Sequence, residues 1–107
     1  MIQVVSKRKG GYRPSSRNAL EVYIGRGTSL GNPYEMENQS QEERDRVCGE
    51  YESWLKVRLA DKESEQYKEL WRLFHIAKKK DLHLLCWCAP LRCHGDFVKK
   101  ILERMLS

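Results

Sequence analysis

The segment Leu82-His83-Leu84-Leu85-Cys86-Trp87-Cys88 is a nearly continuous apolar run, bounded by Lys78-Lys79-Lys80-Asp81 before it and Ala89-Pro90 after it. A strand with one wet face alternates apolar and polar residues. This one has a single polar interruption, His83, and reads as a strand buried on both faces, as in a parallel sheet covered by helices. The rest of the chain supplies what such a strand needs. Ile2-Gln3-Val4-Val5 and Leu20-Glu21-Val22-Tyr23-Ile24 are short β-type runs. Ser40-Gln41-Glu42-Glu43 is a capping box, and the helix it opens places Val47, Cys48, Tyr51, Trp54, Leu55 and Leu59 on one face. A second helix starts near Ser64 with Tyr67, Leu70, Trp71, Phe74 and Ala77 as its apolar face, and a third near Gly95 or Asp96. The expectation is one small α/β domain over residues 1–107, in two or three layers, with a short, mainly parallel sheet and about three helices.

Hydrophobic residues at 40% and charged residues at 33% exclude a disordered tail. No run approaches the ~18–20 apolar residues of a membrane span. The start, Met1-Ile2-Gln3-Val4-Val5-Ser6-Lys7, has no signal-peptide core. Three of the four cysteines crowd into residues 86–93 rather than spreading as a disulfide scaffold would. Together these features predict a cytoplasmic protein with free thiols or a metal.

The net charge of +5 is unevenly placed. Lys7, Arg8, Lys9, Arg13, Arg17 and Arg26 face one acid, Glu21, within residues 1–34, and the remainder balances. The basic loop 7–19 carries Gly10, Gly11 and Tyr12 among its cations, a composition suited to phosphate or to a solvated loop. Lys7, Arg8, Lys9 and Arg13 are its candidate nucleic-acid contacts.

If the strands at 20–24 and 82–88 are parallel, their carboxyl ends share one sheet edge, where open α/β sheets bind ligands. The two most unusual stretches follow those ends. One is the glycine-rich loop 25–39, with Gly25-Arg26-Gly27 and Gly31-Asn32-Pro33. Gly25, Arg26, Gly27 and Asn32 are its candidate phosphate ligands, through backbone N–H groups and a bidentate guanidinium. The other is Cys86-Trp87-Cys88-Ala89-Pro90-Leu91-Arg92-Cys93-His94-Gly95-Asp96. Here Cys93 at a helix start, between Arg92 and His94, is placed to react as a thiolate, with His94 and Asp96 as proton-handling partners. Cys86, Cys88, Cys93 and His94 also offer four ligands for zinc, although C-x-C-x4-C-H is not a standard zinc spacing. Cys86 and Arg92 form a C-x5-R outline without the glycines of a phosphatase loop. The plainest alternative is that the cysteines pack as small hydrophobes and Asp96 caps the helix.

Val22-Tyr23-Ile24-Gly25-Arg26-Gly27, Gly31-Asn32-Pro33-Tyr34, Leu84-Leu85-Cys86-Trp87-Cys88-Ala89-Pro90 and Cys93-His94-Gly95-Asp96 together resemble an uncharacterised domain-of-unknown-function family of bacteria and tailed bacteriophages, with a GR…GNP…CWCAP…CHGD signature. The resemblance spans residues 20–104 and implies a bacterial or phage protein without supplying a reaction. Three functions follow from the whole reading. The first is binding of a phosphate-bearing ligand, a nucleotide or nucleic acid, at the shared edge, with cysteine and histidine chemistry possible there. The second is a non-catalytic phage accessory protein that binds a host protein, its cysteine cluster structural or zinc-bound. The third is a simple DNA- or RNA-binding module using the basic segment, though neither a helix-turn-helix nor an aromatic RNA platform is present.

Overall fold

The structure, a computed structural model, describes residues 2–6, 19–86 and 94–107. In chain order the elements are β1 (Ile2–Ser6), β2 (Leu20–Tyr23), α1 (Gln41–Leu59), α2 (Glu65–Ala77), β3 (Leu82–Cys86) and α3 (His94–Leu106). The sheet order is β1-β3-β2, and both pairings are parallel. Register runs from Ile2 opposite Leu82 to Ser6 opposite Cys86 on one side, and from Leu20 opposite Leu82 to Tyr23 opposite Leu85 on the other. The apolar run is therefore the central strand, and all five of its residues are buried.

Side chains alternate along β3, so Leu82, Leu84 and Cys86 share one face and His83 and Leu85 the other. Leu82 and Leu84 join the main core with Ile2, Tyr51, Leu55, Leu70, Leu73, Val98 and Leu102. The three helices contact one another over that face, giving two layers among the described elements. Burial of each such side chain is worth about 1.5–3 kcal/mol, which makes this cluster the chief source of stability. No helix among the described residues is long and apolar enough to cross a membrane.

Local chemistry sets the helix ends. Ser40 Oγ accepts from the Glu43 amide at 3.2 Å, as an N-cap should. The other half of the expected box is replaced: Glu43 accepts from the Glu37 amide at 2.9 Å and from Arg46, while the Ser40 amide donates to Asn38. The Arg46 guanidinium holds the Glu43 carboxyl down at about 2. Ser64 caps α2 by accepting from the Tyr67 amide. In α2 the buried residues are Gln66, Leu70, Leu73 and Phe74, so the inner face is turned from the expected stripe and Trp71 is 39% exposed. Trp71 instead stands edge-on to Phe74 at the rim, with ring centroids 5.2 Å apart.

Candidate functional site

All three strands point the same way, so β1, β2 and β3 end on one edge. Ser6, paired with Cys86, is where the basic segment departs, and the cysteine segment departs beside it. Next to them the chain leaves β2 into the glycine-rich loop. All three stretches singled out in the sequence thus start from strand ends on this edge. Lys7, Arg8, Lys9 and Arg13, and likewise Cys88 and Cys93, lie outside the described residues.

The glycine-rich loop is held through its carbonyls. Thr28 donates to the Gly25 carbonyl from its amide at 3.2 Å and from its hydroxyl at 2.7 Å, and the Gly31 amide donates to Thr28. Gln66 Nε2 donates to the Ser29 carbonyl at 2.8 Å, and the Tyr51 hydroxyl to the Leu30 carbonyl at 2.7 Å. Arg26 folds over its own loop, with Nη1 donating to the Asn32 carbonyl at 3.0 Å and Nη2 to the Tyr34 carbonyl at 2.9 Å. The Asn32 side chain donates to the Val47 carbonyl on α1 and accepts from the Tyr34 amide. Two glycines are required by this shape. Gly27 has φ +92°, and a Cβ on Gly31 would stand 2.3 Å from the Gly25 carbonyl oxygen. Arg26 and Asn32 therefore shape the loop, whatever else they bind, and Arg26 remains exposed with donors to spare.

His94, the first residue of α3, is 8% exposed, and its Nε2 lies 2.5 Å from the Ile24 carbonyl oxygen. A carbonyl can only accept, so this nitrogen carries the proton. The ring also stands edge-on to Tyr51, centroids 5.1 Å apart. Burial pushes the His94 pKa down; the Ile24 bond and Asp96 push it up, and the Arg26 charge pushes it down again. His94 is thus a neutral clasp joining the start of α3 to the end of β2, close enough to Arg26 to feel its charge. Asp96 sits exposed in the first turn of α3. Cys86 is 1% exposed within β3. Of the four suggested zinc ligands, then, the two described are an enclosed thiol and a histidine with only Nδ1 left to offer. No group of three or more metal-ligating side chains occurs among the described residues.

One residue stands out in the structure that the sequence does not single out. Arg44 is 6% exposed and extends the buried face of α1 back from Cys48 and Tyr51 by one helical turn. It stands one turn before Val47, whose carbonyl holds Asn32. Among the described residues its guanidinium makes no ion pair or hydrogen bond; the arginine pairs of α1 and α2 belong to Arg46 and Arg72. Segments 7–18 and 87–93 contain no Asp or Glu, only Lys7, Arg8, Lys9, Arg13, Arg17 and Arg92. Among the described residues, then, no carboxylate stands at ion-pair distance from Arg44. The signal lay in helical spacing, since positions 44, 48, 51 and 55 share a face.

The glycine loop also forms one wall of a cavity of about 400 Å³, whose lining includes Arg26, Ser29, Asn32, Trp54, Glu65 and Gln66.

The family described as "Domain of unknown function (DUF4326)" matches residues 5–104, nearly the whole chain. The chain belongs to this family. The match takes in the ends of all three strands, so the edge described above falls inside the family's domain. No curated protein and no solved structure matches the chain.

Proposed function

We propose that this chain, as a cytoplasmic protein of bacterial or bacteriophage origin, binds a nucleotide, free or within a nucleic acid, at the edge where its three parallel strands end. The observation that carries the reading is Arg44, a buried arginine that meets no carboxylate among the described residues and stands one turn before the Val47 carbonyl that holds Asn32. A buried charge is costly unless an opposite charge stands near it, and an anion bound at this edge would supply one. The same edge gathers Arg26, the glycine loop and the first turn of α3, and two segments whose only charged residues are cations leave from it. Gly25, Arg26, Gly27 and Asn32 form the phosphate-facing loop in this reading, and Lys7, Arg8, Lys9 and Arg13 extend it along a polyanion. His94 acts by joining the two loops. Cys93, with Asp96 nearby in sequence, is the group available for any covalent step.

The test is a filter-binding titration of a single-stranded oligonucleotide, and calorimetry with inorganic phosphate and a nucleoside triphosphate. Binding should weaken with salt. Replacing Lys7, Arg8 and Lys9 by Ala should flatten the salt slope by about 0.7 for each phosphate no longer neutralised. A triple variant with the parent slope removes the basic segment from the site. Failure of all three anions to bind overturns the reading.

A further inference from the structure

The anion reading uses one wall of the adjoining cavity, the one that Arg26, Gly27 and Asn32 form, and leaves the walls of α1 and α2 without a role. That cavity, about 400 Å³, lies between the glycine loop and the facing parts of α1 and α2. Its size falls in the range of sites for small organic ligands, ~300–1,000 Å³. Its walls differ in chemistry. Trp54, half-buried on α1, presents the one aromatic ring among the described residues of the lining. Gln66 cannot swing away, because its Oε1 accepts from Arg58 Nε at 2.9 Å while its Nε2 holds the Ser29 carbonyl. Glu65, the first residue of α2, is exposed at the mouth and offers only acceptor oxygens. Arg26 and Asn32 line the same cavity and belong to the loop of the proposed phosphate edge. An aromatic wall, a carboxylate acceptor and a shared arginine are the parts needed to receive a planar heterocycle whose phosphate lies next door.

We infer that this cavity is a nucleoside subsite, with the heterocyclic base against Trp54, an N–H or sugar hydroxyl donor on Glu65, and the 5′-phosphate passing Arg26 to the strand edge. The inference rests on the nucleotide reading above and names the part of the ligand that the anion site does not hold.

Calorimetry with inorganic phosphate, adenosine and adenosine 5′-monophosphate separates the two. The monophosphate should bind at least tenfold more tightly than inorganic phosphate. Trp54→Ala should lose that tenfold advantage and leave phosphate affinity within twofold, while Trp54→Phe should keep most of it. Glu65→Gln, exposed and remote from the core, should weaken adenosine and the monophosphate severalfold without changing the melting temperature. If the monophosphate binds no better than phosphate, or Trp54→Ala weakens both equally, the subsite is overturned while the anion edge stands. Adenosine that binds where phosphate does not keeps the subsite and removes Arg44 as an anion ligand. If none of the three binds, both fall.

Discussion

His94 Nε2 donates to the Ile24 carbonyl, a bond between residues 70 positions apart. It fastens the start of the last helix to the end of β2, and so aligns the two loops that leave the strand edge. The bond needs a proton on Nε2, which the neutral Nε2–H tautomer and the imidazolium both carry, so burial rather than the bond disfavours the charged ring.

That burial gives stability a pH dependence. Burial, the largest influence, lowers the folded pKa of His94 below its ordinary 6.5. Between the lowered value and 6.5 the unfolded chain binds the proton and the folded chain does not, so stability falls as pH drops below 6.5 and is complete above it. Urea midpoints measured at about pH 5 and about pH 7.5 should differ, and the difference should shrink in His94→Gln, which keeps a donor near Ile24 but cannot titrate. An unchanged difference in the variant would mean that other groups, not His94, carry the effect.

The glycine loop predicts an order of cost. Gly31→Ala drives a Cβ to 2.3 Å from a backbone oxygen that has nowhere to go. It should destabilise by about 1–3 kcal/mol. Gly27→Ala meets open space and suffers only from φ +92°. That strain is worth about 1–2 kcal/mol. Chemical denaturation should rank Gly31→Ala as the more damaging change. The reverse ranking would contradict the close approach of residues 25 and 31.

Arg44→Met exchanges a buried cation for an apolar side chain of similar length. In phosphate-free buffer the variant should be at least as stable as the parent. Added phosphate should raise the parent's melting temperature, by mass action on the folded state, and leave the variant's unchanged. A parent that phosphate does not stabilise, or a variant it stabilises equally, removes Arg44 from the anion site.

The thiols should react unequally. Cys48 is 4% and Cys86 1% exposed, and both should resist alkylation in the native state. Cys93 precedes the first residue of α3, where helix-end amides favour a thiolate, and should be the fastest of the four. Peptide mapping after brief alkylation at neutral pH decides this. Labelling of Cys93 no faster than Cys48 defeats the thiolate, and protection of the clustered cysteines that a chelator removes would point to bound metal.

The fold is legible because its strongest local pattern, the run into Cys86, has one cheap solution: the centre of a parallel sheet. The caps at Ser40 and Ser64 are equally plain, since an N-cap is a short-range contract between a hydroxyl and an amide three residues on. What local patterning does not reveal is a partner fixed only by tertiary approach. In sequence Arg26 looks like a residue for solvent or ligand, and its bonds to Asn32 and Tyr34 exist only once the loop closes. Gln66 gives no signal, because a glutamine on an inner helix face has no meaning until Ser29 is there to meet it. The surroundings of His94 and Arg44 are hidden for the same reason. Burial of a polar group is decided by what folds around it.

The strand order also governs how the protein can be made. β1 and β2 do not touch; each pairs only with β3, which is translated about 60 or more residues later than either. A nascent chain that has emerged only as far as α2 carries two strands whose backbone donors and acceptors have no sheet to join. Closure of the sheet waits for residues 82–86, because both of its pairings run through them. Such long-range pairing is slow, and the waiting strands are the part of the half-made chain most prone to stick to a neighbour. The segment that constrains the fold most is also the one that releases its synthesis from that hazard.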